Sequence, residues 1–204
     1  MLLWTKKPTP RFIDEFLAAQ ATTTFSYTQV GTSSLGAPSG FVLDEIHTRL
    51  GSGAATFERA QAALVAWRQF ELDWVELCWP ETPLERGRTV AVLARVLGMW
   101  WLNACRVIEV IDIAHGLGHG SHHGVGRQFG VVYGTLADHA ERGEERFWVT
   151  HNEDDSVWFS IRAFSRPNQW LSRLGYPLVR RVQKRFARES SAAMLRHAGA
   201  PAEK

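Results

Sequence analysis

The chain has 204 residues, 45% of them apolar and 22% charged. That balance suits one globular domain with a sizeable core and excludes a mostly disordered or fibrous chain. Lys plus Arg number 23 against 21 Asp plus Glu, a net charge of +2, so charge alone gives no reason to expect nucleic-acid binding. The charge is unevenly placed: Arg162 to Arg196 holds nine basic residues and one acid, Glu189. Two cysteines, Cys78 and Cys105, make no disulfide framework and are expected as buried thiols in a reducing cytoplasm. The start, Met1-Leu2-Leu3-Trp4 before Lys6 and Lys7, has no secretory pattern. The most apolar run, Val96 to Cys105, is ten residues, where a membrane span needs roughly 20. The expectation is a soluble, cytoplasmic protein without a transmembrane segment.

Taken in order, residues 10 to 20 read as a short helix with Phe12, Ile13, Phe16 and Leu17 on one side. Phe25 to Val30 reads as a strand, Gly31 to Gly40 as a loop rich in Gly, Ser and Pro, and Phe41 to Leu50 as a second strand. A helix is predicted from Thr56, as N-cap, to Phe70, with Phe57, Ala60, Leu64 and Trp67 at helical spacing. The preceding Gly51-Ser-Gly53 lacks the third glycine and the lysine of phosphate-binding loops. Strands follow at Leu72 to Trp79, Thr89 to Val96, Trp100 to Asp112, Phe129 to Thr135, Glu145 to Thr150 and Ser156 to Phe164. Their mark is alternation of β-branched and aromatic residues, as in Val157, Phe159, Ile161 and Ala163 against Trp158, Ser160, Arg162 and Phe164. Asn152 to Asp155 is an acidic turn between the last two. Pro167 ends the strands, Trp170 to Leu174 suggests a turn of helix, and a long helix runs from near Pro177 to about Arg196. At roughly 100° per residue, Leu178, Val179, Val182, Phe186 and Ala193 form one arc, and Arg180, Arg181, Lys184, Arg185 and Arg188 the other.

This order predicts an α+β fold: a curved antiparallel β-sheet of about six to seven strands gripping a long C-terminal amphipathic helix. It resembles the START and Bet v 1-like helix-grip fold in element order. Residues 1–22 are expected as an N-terminal helical extension, 23–197 as a single α+β domain, and 198–204 as a disordered tail. Helix-grip domains keep an apolar cavity between sheet and helix, and nine Trp and eleven Phe would line such a cavity or fill a core.

Several separated segments are distinctive: Tyr133-Gly-Thr-Leu, then His139, then Gly143-Glu144-Glu145-Arg146-Phe147; Val157-Trp158, Ile161 and Ala163-Phe164-Ser165-Arg166-Pro167; Gly175-Tyr176-Pro177; and Gln183-Lys184-Arg185-Phe186-Ala187. Leu50-Gly-Ser-Gly53, Phe57, Ala60 and Trp67 fit the same pattern. Over roughly residues 25 to 195 the chain resembles a bacterial and plant family known as uncharacterised protein family 0548. The resemblance implies no activity. Two departures stand out: Ala137-Asp138 replaces the family's usual Pro-Gly, and the Gly/His-rich stretch His115 to Gly126 lengthens a hairpin.

Three constellations are candidate sites. His139 with Glu141, Glu144 and Glu145 offers an acid–base group, since a carboxylate neighbour raises the pKa of His and fixes its tautomer. Beside it stands a structural reading, with Gly134 and Gly143 shaping a long hairpin and the charges pairing with Arg142, Arg146 or Arg162. The second constellation is His115, His119, His122 and His123; without Cys or a nearby carboxylate it predicts adventitious metal binding rather than a metal site. The third is the basic helix face, expected as a solvated surface or an interaction module.

The leading expectation is a small apolar or amphipathic ligand held in a cavity, with Tyr133, Trp158, Arg162 and Arg166 as candidate ligand-binding residues. The rival is an enzyme using the same cavity, with His139, Glu144 and Glu145 as catalytic candidates and Arg162 or Arg166 holding an anion. No cofactor is expected: nucleophile elbow, phosphate loop and His-Glu-x-x-His patterns are missing from the sequence.

Overall fold

The computed structural model of the chain describes residues 2–114, 125–168 and 175–199. Its elements are β1 (Leu2–Trp4), α1 (Pro10–Gln20), β2 (Val42–Ser52), α2 (Ala54–Val65), a 3-10 turn (Arg68–Phe70), β3 (Val75–Cys78), β4 (Thr89–Val96), β5 (Met99–Ile113), β6 (Val125–Thr135), β7 (Glu141–Asn152), β8 (Ser156–Pro167) and α3 (Tyr176–Ala198). The strands form one antiparallel sheet in the order β2-β8-β7-β6-β5-β4-β3, with β1 added beside β5. Consecutive strands from β3 to β8 are neighbours, as the short turns demand. The α+β helix-grip arrangement anticipated from element order is the one observed, and no described helix is long and apolar enough to cross a membrane.

Both faces of the sheet are covered, which explains the apolar residues on both faces of β4 and β5. One face carries the main core, where Phe57, Leu64, Trp67 and Phe70 meet Phe147, Phe159 and Met194. The other carries Ile13 and Phe16 of α1 against Ala91, Leu93, Leu102 and Leu136. Helix α1 starts at Thr9, whose hydroxyl accepts the Phe12 N–H at 3.3 Å, with Pro10 in the first turn. Residues 1–22, expected as an extension, thus give the sheet an eighth strand and a covering helix.

Local expectations shift in four places. Phe25 to Val30 is no strand: only Phe25 bridges, to Leu136, while Tyr27 turns inward onto Phe164. Helix α2 starts at Gly53, with φ +87°, and the Thr56 hydroxyl instead donates back to the Ser52 carbonyl. It also stops early, because Trp67 is left-handed and its indole donates to the Thr82 carbonyl. Leu72 to Trp79 pairs only over Val75–Cys78. The four-His loop, the segment at Trp170 to Leu174 and most of the expected tail lie outside the described residues.

Helix α3 is not packed uniformly. Its C-terminal half is sealed by small side chains, with Ser190, Ser191, Ala193 and Ala198 buried beside Met194. Its N-terminal half stands off the sheet, and Val182, Phe186 and Ala187 are only partly buried. That half is held by polar props, Arg180 gripping Asp44 of β2 and Gln183 donating to Ser165 of β8 at 3.0 Å, and just past the middle of the helix Glu189 accepts the Trp74 indole N–H. Props of this kind leave a space between helix and sheet.

Candidate functional site

That space is a cavity of about 460 Å³, within the range that holds small-molecule ligands. Its apolar part comes from Phe70, Trp74, Val92, Ile161 and Phe186, among others. Its polar part comes from Asn103, Tyr133, His139, Glu141 and Glu145. The fold produces this arrangement by register. Tyr133, Glu145, Ala163 and Asp44 are successive cross-strand partners over β6, β7, β8 and β2, so they form one row on one face.

Within that row the Tyr133 hydroxyl donates to Glu145 at 2.7 Å. Burial pushes Glu145 up to about 7, against the opposing pull of the phenol. Glu141, four residues earlier on the same strand face, is also raised to about 7 by burial. Both its carboxylate oxygens are buried without a hydrogen-bond partner. The cation nearest by electrostatics, Arg180, lies on α3 and is committed to Asp44 and Gln183.

His139 sits in the turn that joins β6 to β7. Asn103 accepts the Ala140 N–H at 3.1 Å, and Asn168 donates to the carbonyls of Ala137 and His139. Asp138, at one of the positions departing from the family pattern, accepts from Gln20 of α1 at 2.9 Å. His139 Nδ1 lies 3.0 Å from both the N–H and the carbonyl oxygen of Glu141, so either tautomer finds a partner on that backbone. The expected raised pKa is not found: burial lowers His139 to about 4, since no carboxylate side chain reaches the ring. His139 is therefore a neutral, weakly basic imidazole at physiological pH.

Glu144 belongs to the opposite face. It is 2% exposed and accepts from the Tyr27 hydroxyl at 2.9 Å, the Gly31 N–H at 2.7 Å and the Ser33 N–H at 2.8 Å. Its carboxylate is spent on pinning the segment between α1 and β2. None of Arg142, Arg146 and Arg162 pairs with it.

Trp158, Arg162 and Arg166 also lie away from the cavity, because they alternate with Val157, Ile161 and the other core-facing residues of β8. Arg162 pairs with Glu45 at 2.8 Å, Arg166 stacks on Phe41, and the Trp158 indole donates to Ser156. Of the four expected ligand-binding residues, only Tyr133 lines the cavity. Asn103, Glu141, Asp44 and Trp74 were not singled out as binding residues. Their signal was available as polar residues on otherwise apolar strand faces: Asn103 alternates with Cys105, and Asp44 with Ile46.

The basic face of α3 is partly engaged, since Arg185 pairs with Glu189 and stacks on Trp74, and Arg180 is internal. Both cysteines are free and buried, and burial raises both thiols, Cys78 to about 12. Among the described residues no cluster of His, Cys, Asp and Glu is arranged to hold a metal ion.

The charge on Glu141 has a consequence for stability. A carboxyl whose pKa rises from 4.5 unfolded to about 7 folded holds more protons when folded, so stability falls as pH climbs through that window. Glu141→Gln removes this loss. The variant is expected to be about 2 kcal/mol more stable than the parent at pH 8 and nearly equal to it at pH 4.5. Urea unfolding at the two pH values checks it. His139, with its lowered pKa, contributes in the other sense, losing stability as pH falls from about 6.5 to about 4; it does so equally in parent and variant.

Comparison with known proteins places this site in a family. Residues 26–193 match the model described as Domain of unknown function (DUF1990). A UPF0548 protein of Dictyostelium discoideum is 38% identical over 168 residues, 79% of this chain and 74% of that one. A UPF0548 protein of Deinococcus radiodurans is 35% identical over 206 residues, 95% of this chain and 98% of that one. Among solved structures, a hypothetical protein from Helicobacter pylori aligns with TM-score 0.49 and 11% identity, over 87% of this chain and 98% of that one. With the domain matched over most of this chain, and relatives aligned along most of theirs, the chain belongs to the DUF1990 family of UPF0548 proteins.

Proposed function

We propose that the protein binds a small amphipathic molecule in the cavity between its sheet and α3. The observation that carries this reading is the cavity itself, about 460 Å³ with an apolar wall and a cluster of hydrogen-bonding groups at one part. A space of that size beneath Phe186 and Ala187 forgoes packing contacts that a filled core would make. The test is titration with a neutral solvatochromic dye, Nile red, of the parent protein and of Ala187→Phe. Saturable one-to-one binding is expected in the parent, weakened about tenfold or more by the added ring. Equal binding by both proteins, or none by the parent, overturns the proposal.

One observation favours a second reading, in which the same cavity catalyses a reaction. Glu145 lines it and titrates near neutrality, as a general acid–base group must. In that reading Glu145 moves the proton, Tyr133 positions it, and His139 adds a neutral imidazole to the wall.

A further inference from the structure

We infer that the polar end of the cavity is built for a positively charged or strongly hydrogen-bond-donating head group, such as a primary amine, on an apolar body. This inference rests on the cavity reading and names the ligand class for it. The argument is a balance of charge and partners. Asp44 and Arg180 neutralise one another across the rim. His139 is held neutral by its burial, and Tyr133 is an uncharged phenol. Cys105, also in the lining, is a thiol kept protonated by burial.

Of the other carboxylates in the lining, Glu45 is paired with Arg162 and Glu144 is held by Tyr27, Gly31 and Ser33, which leaves Glu141 and Glu145. Neither is in an ion pair: Glu145 receives only the phenol, both oxygens of Glu141 receive no hydrogen bond, and Arg180, which acts on Glu141 at longer range, is already bound to Asp44. The lining also holds Lys184, on the exposed side of α3. A buried acidic group without a partner destabilises the folded chain, and such groups concentrate where a ligand supplies the missing partner.

A cation entering this end would be attracted to both carboxylates in a medium of low dielectric. It would also favour their ionised forms over their protonated ones. Binding near pH 6 should therefore release protons, and affinity for an amine should rise with pH through about 7, where Glu141 and Glu145 titrate. A neutral ligand has no such dependence.

The experiment is isothermal titration calorimetry with 1-octylamine, 1-octanol and octanoate, which share a body and differ in the head. At pH 8 octylamine is expected to bind about tenfold or more tightly than octanol, with octanoate weakest. At pH 5.5 the amine's advantage should shrink to about threefold or less, and near pH 6 its binding enthalpy should depend on the buffer's ionisation enthalpy. Glu141→Gln and Glu145→Gln, singly and together, keep the shape of the site, and the double variant should bind amine and alcohol about equally. Equal binding of amine and alcohol by the parent at pH 8, octanoate as the tightest ligand, or a preference that survives in the double variant overturns the inference while leaving the cavity reading intact. Failure of all three ligands to bind overturns both.

Discussion

Glu144→Ala is expected to lower the folding free energy by about 4 kcal/mol, among the largest losses any single substitution in this chain can cause. The carboxylate accepts hydrogen bonds from three groups drawn from one segment: the Tyr27 hydroxyl and the N–H groups of Gly31 and Ser33. Alanine leaves all three donors facing a buried void, and each stranded donor costs about 1–3 kcal/mol. In a domain of this size the loss corresponds to a fall in Tm of about 10 °C. Differential scanning calorimetry measures it. Glu144→Gln separates shape from charge: an amide oxygen can still accept from the Tyr27 hydroxyl and the Gly31 N–H, which share Oε2, but its NH2 then faces the Ser33 N–H, so it should recover only part of the loss. If the alanine variant melts within about 2 °C of the parent, Glu144 is not the anchor described here.

Gly143→Ala is expected to cost 4 kcal/mol or more on an order-of-magnitude scale, and to leave most of the protein insoluble on expression. Gly143 has φ +153°, and a Cβ there would stand 1.9 Å from the carbonyl oxygen of Phe164. The obstacle is backbone of the neighbouring strand, fixed by the β7–β8 ladder, so no rotamer change relieves it. Thr135 locks the same residue, donating its hydroxyl to the Gly143 carbonyl at 3.1 Å and accepting the Gly143 N–H at 2.9 Å. Gly98→Ala is the control. It also has positive φ, +77°, but nothing lies within 4 Å of the added carbon, so only the conformational cost of about 1 kcal/mol applies. Similar losses at both positions would show that the clash at Gly143 is relieved by movement of the sheet.

These two neighbours show how much of the molecule was readable beforehand. The run Gly143 to Phe147 stands out in the sequence, but it serves several tasks on alternating faces. Gly143 permits the close approach of two strands, Glu144 anchors a loop on one side, Glu145 enters the cavity on the other, and Phe147 fills the core. Sequence spacing brings all of these together in one motif and cannot by itself say which carboxylate faces which side, because that depends on where β7 begins. The strand was expected from Glu145, but pairing starts at Glu141, and the four added residues bring Glu141 into the cavity wall. Trp158, Arg162 and Arg166 drew attention as polar or aromatic residues near the motif, yet the alternation of β8 assigns them to the outer face. That was legible from Val157, Phe159 and Ile161 alone.

The helix-grip architecture was legible because period-two strands in sequence, followed by one long amphipathic helix, leave few ways to cover the sheet. The cavity was less so. It depends on the contrast within α3 between a C-terminal half of small buried residues and an N-terminal half propped by Arg180 and Gln183, with Glu189 just past the middle. The partners of those props, Asp44, Ser165 and Trp74, are more than 100 residues away in two cases. The pKa of His139 was misjudged for a related reason. Carboxylates adjacent in sequence point elsewhere in space, and only the Glu141 backbone reaches the ring.

The central claim, that the space under α3 is a ligand site, is tested most directly by the paired Nile red titration of the parent and Ala187→Phe, with dye emission and Trp74 quenching recorded together. The account predicts a blue-shifted, saturable one-to-one signal in the parent that is displaced by octanol, and a tenfold or greater loss of affinity in a variant that still melts cooperatively. An unchanged titration in the folded variant, or a parent that takes up no dye, would contradict it.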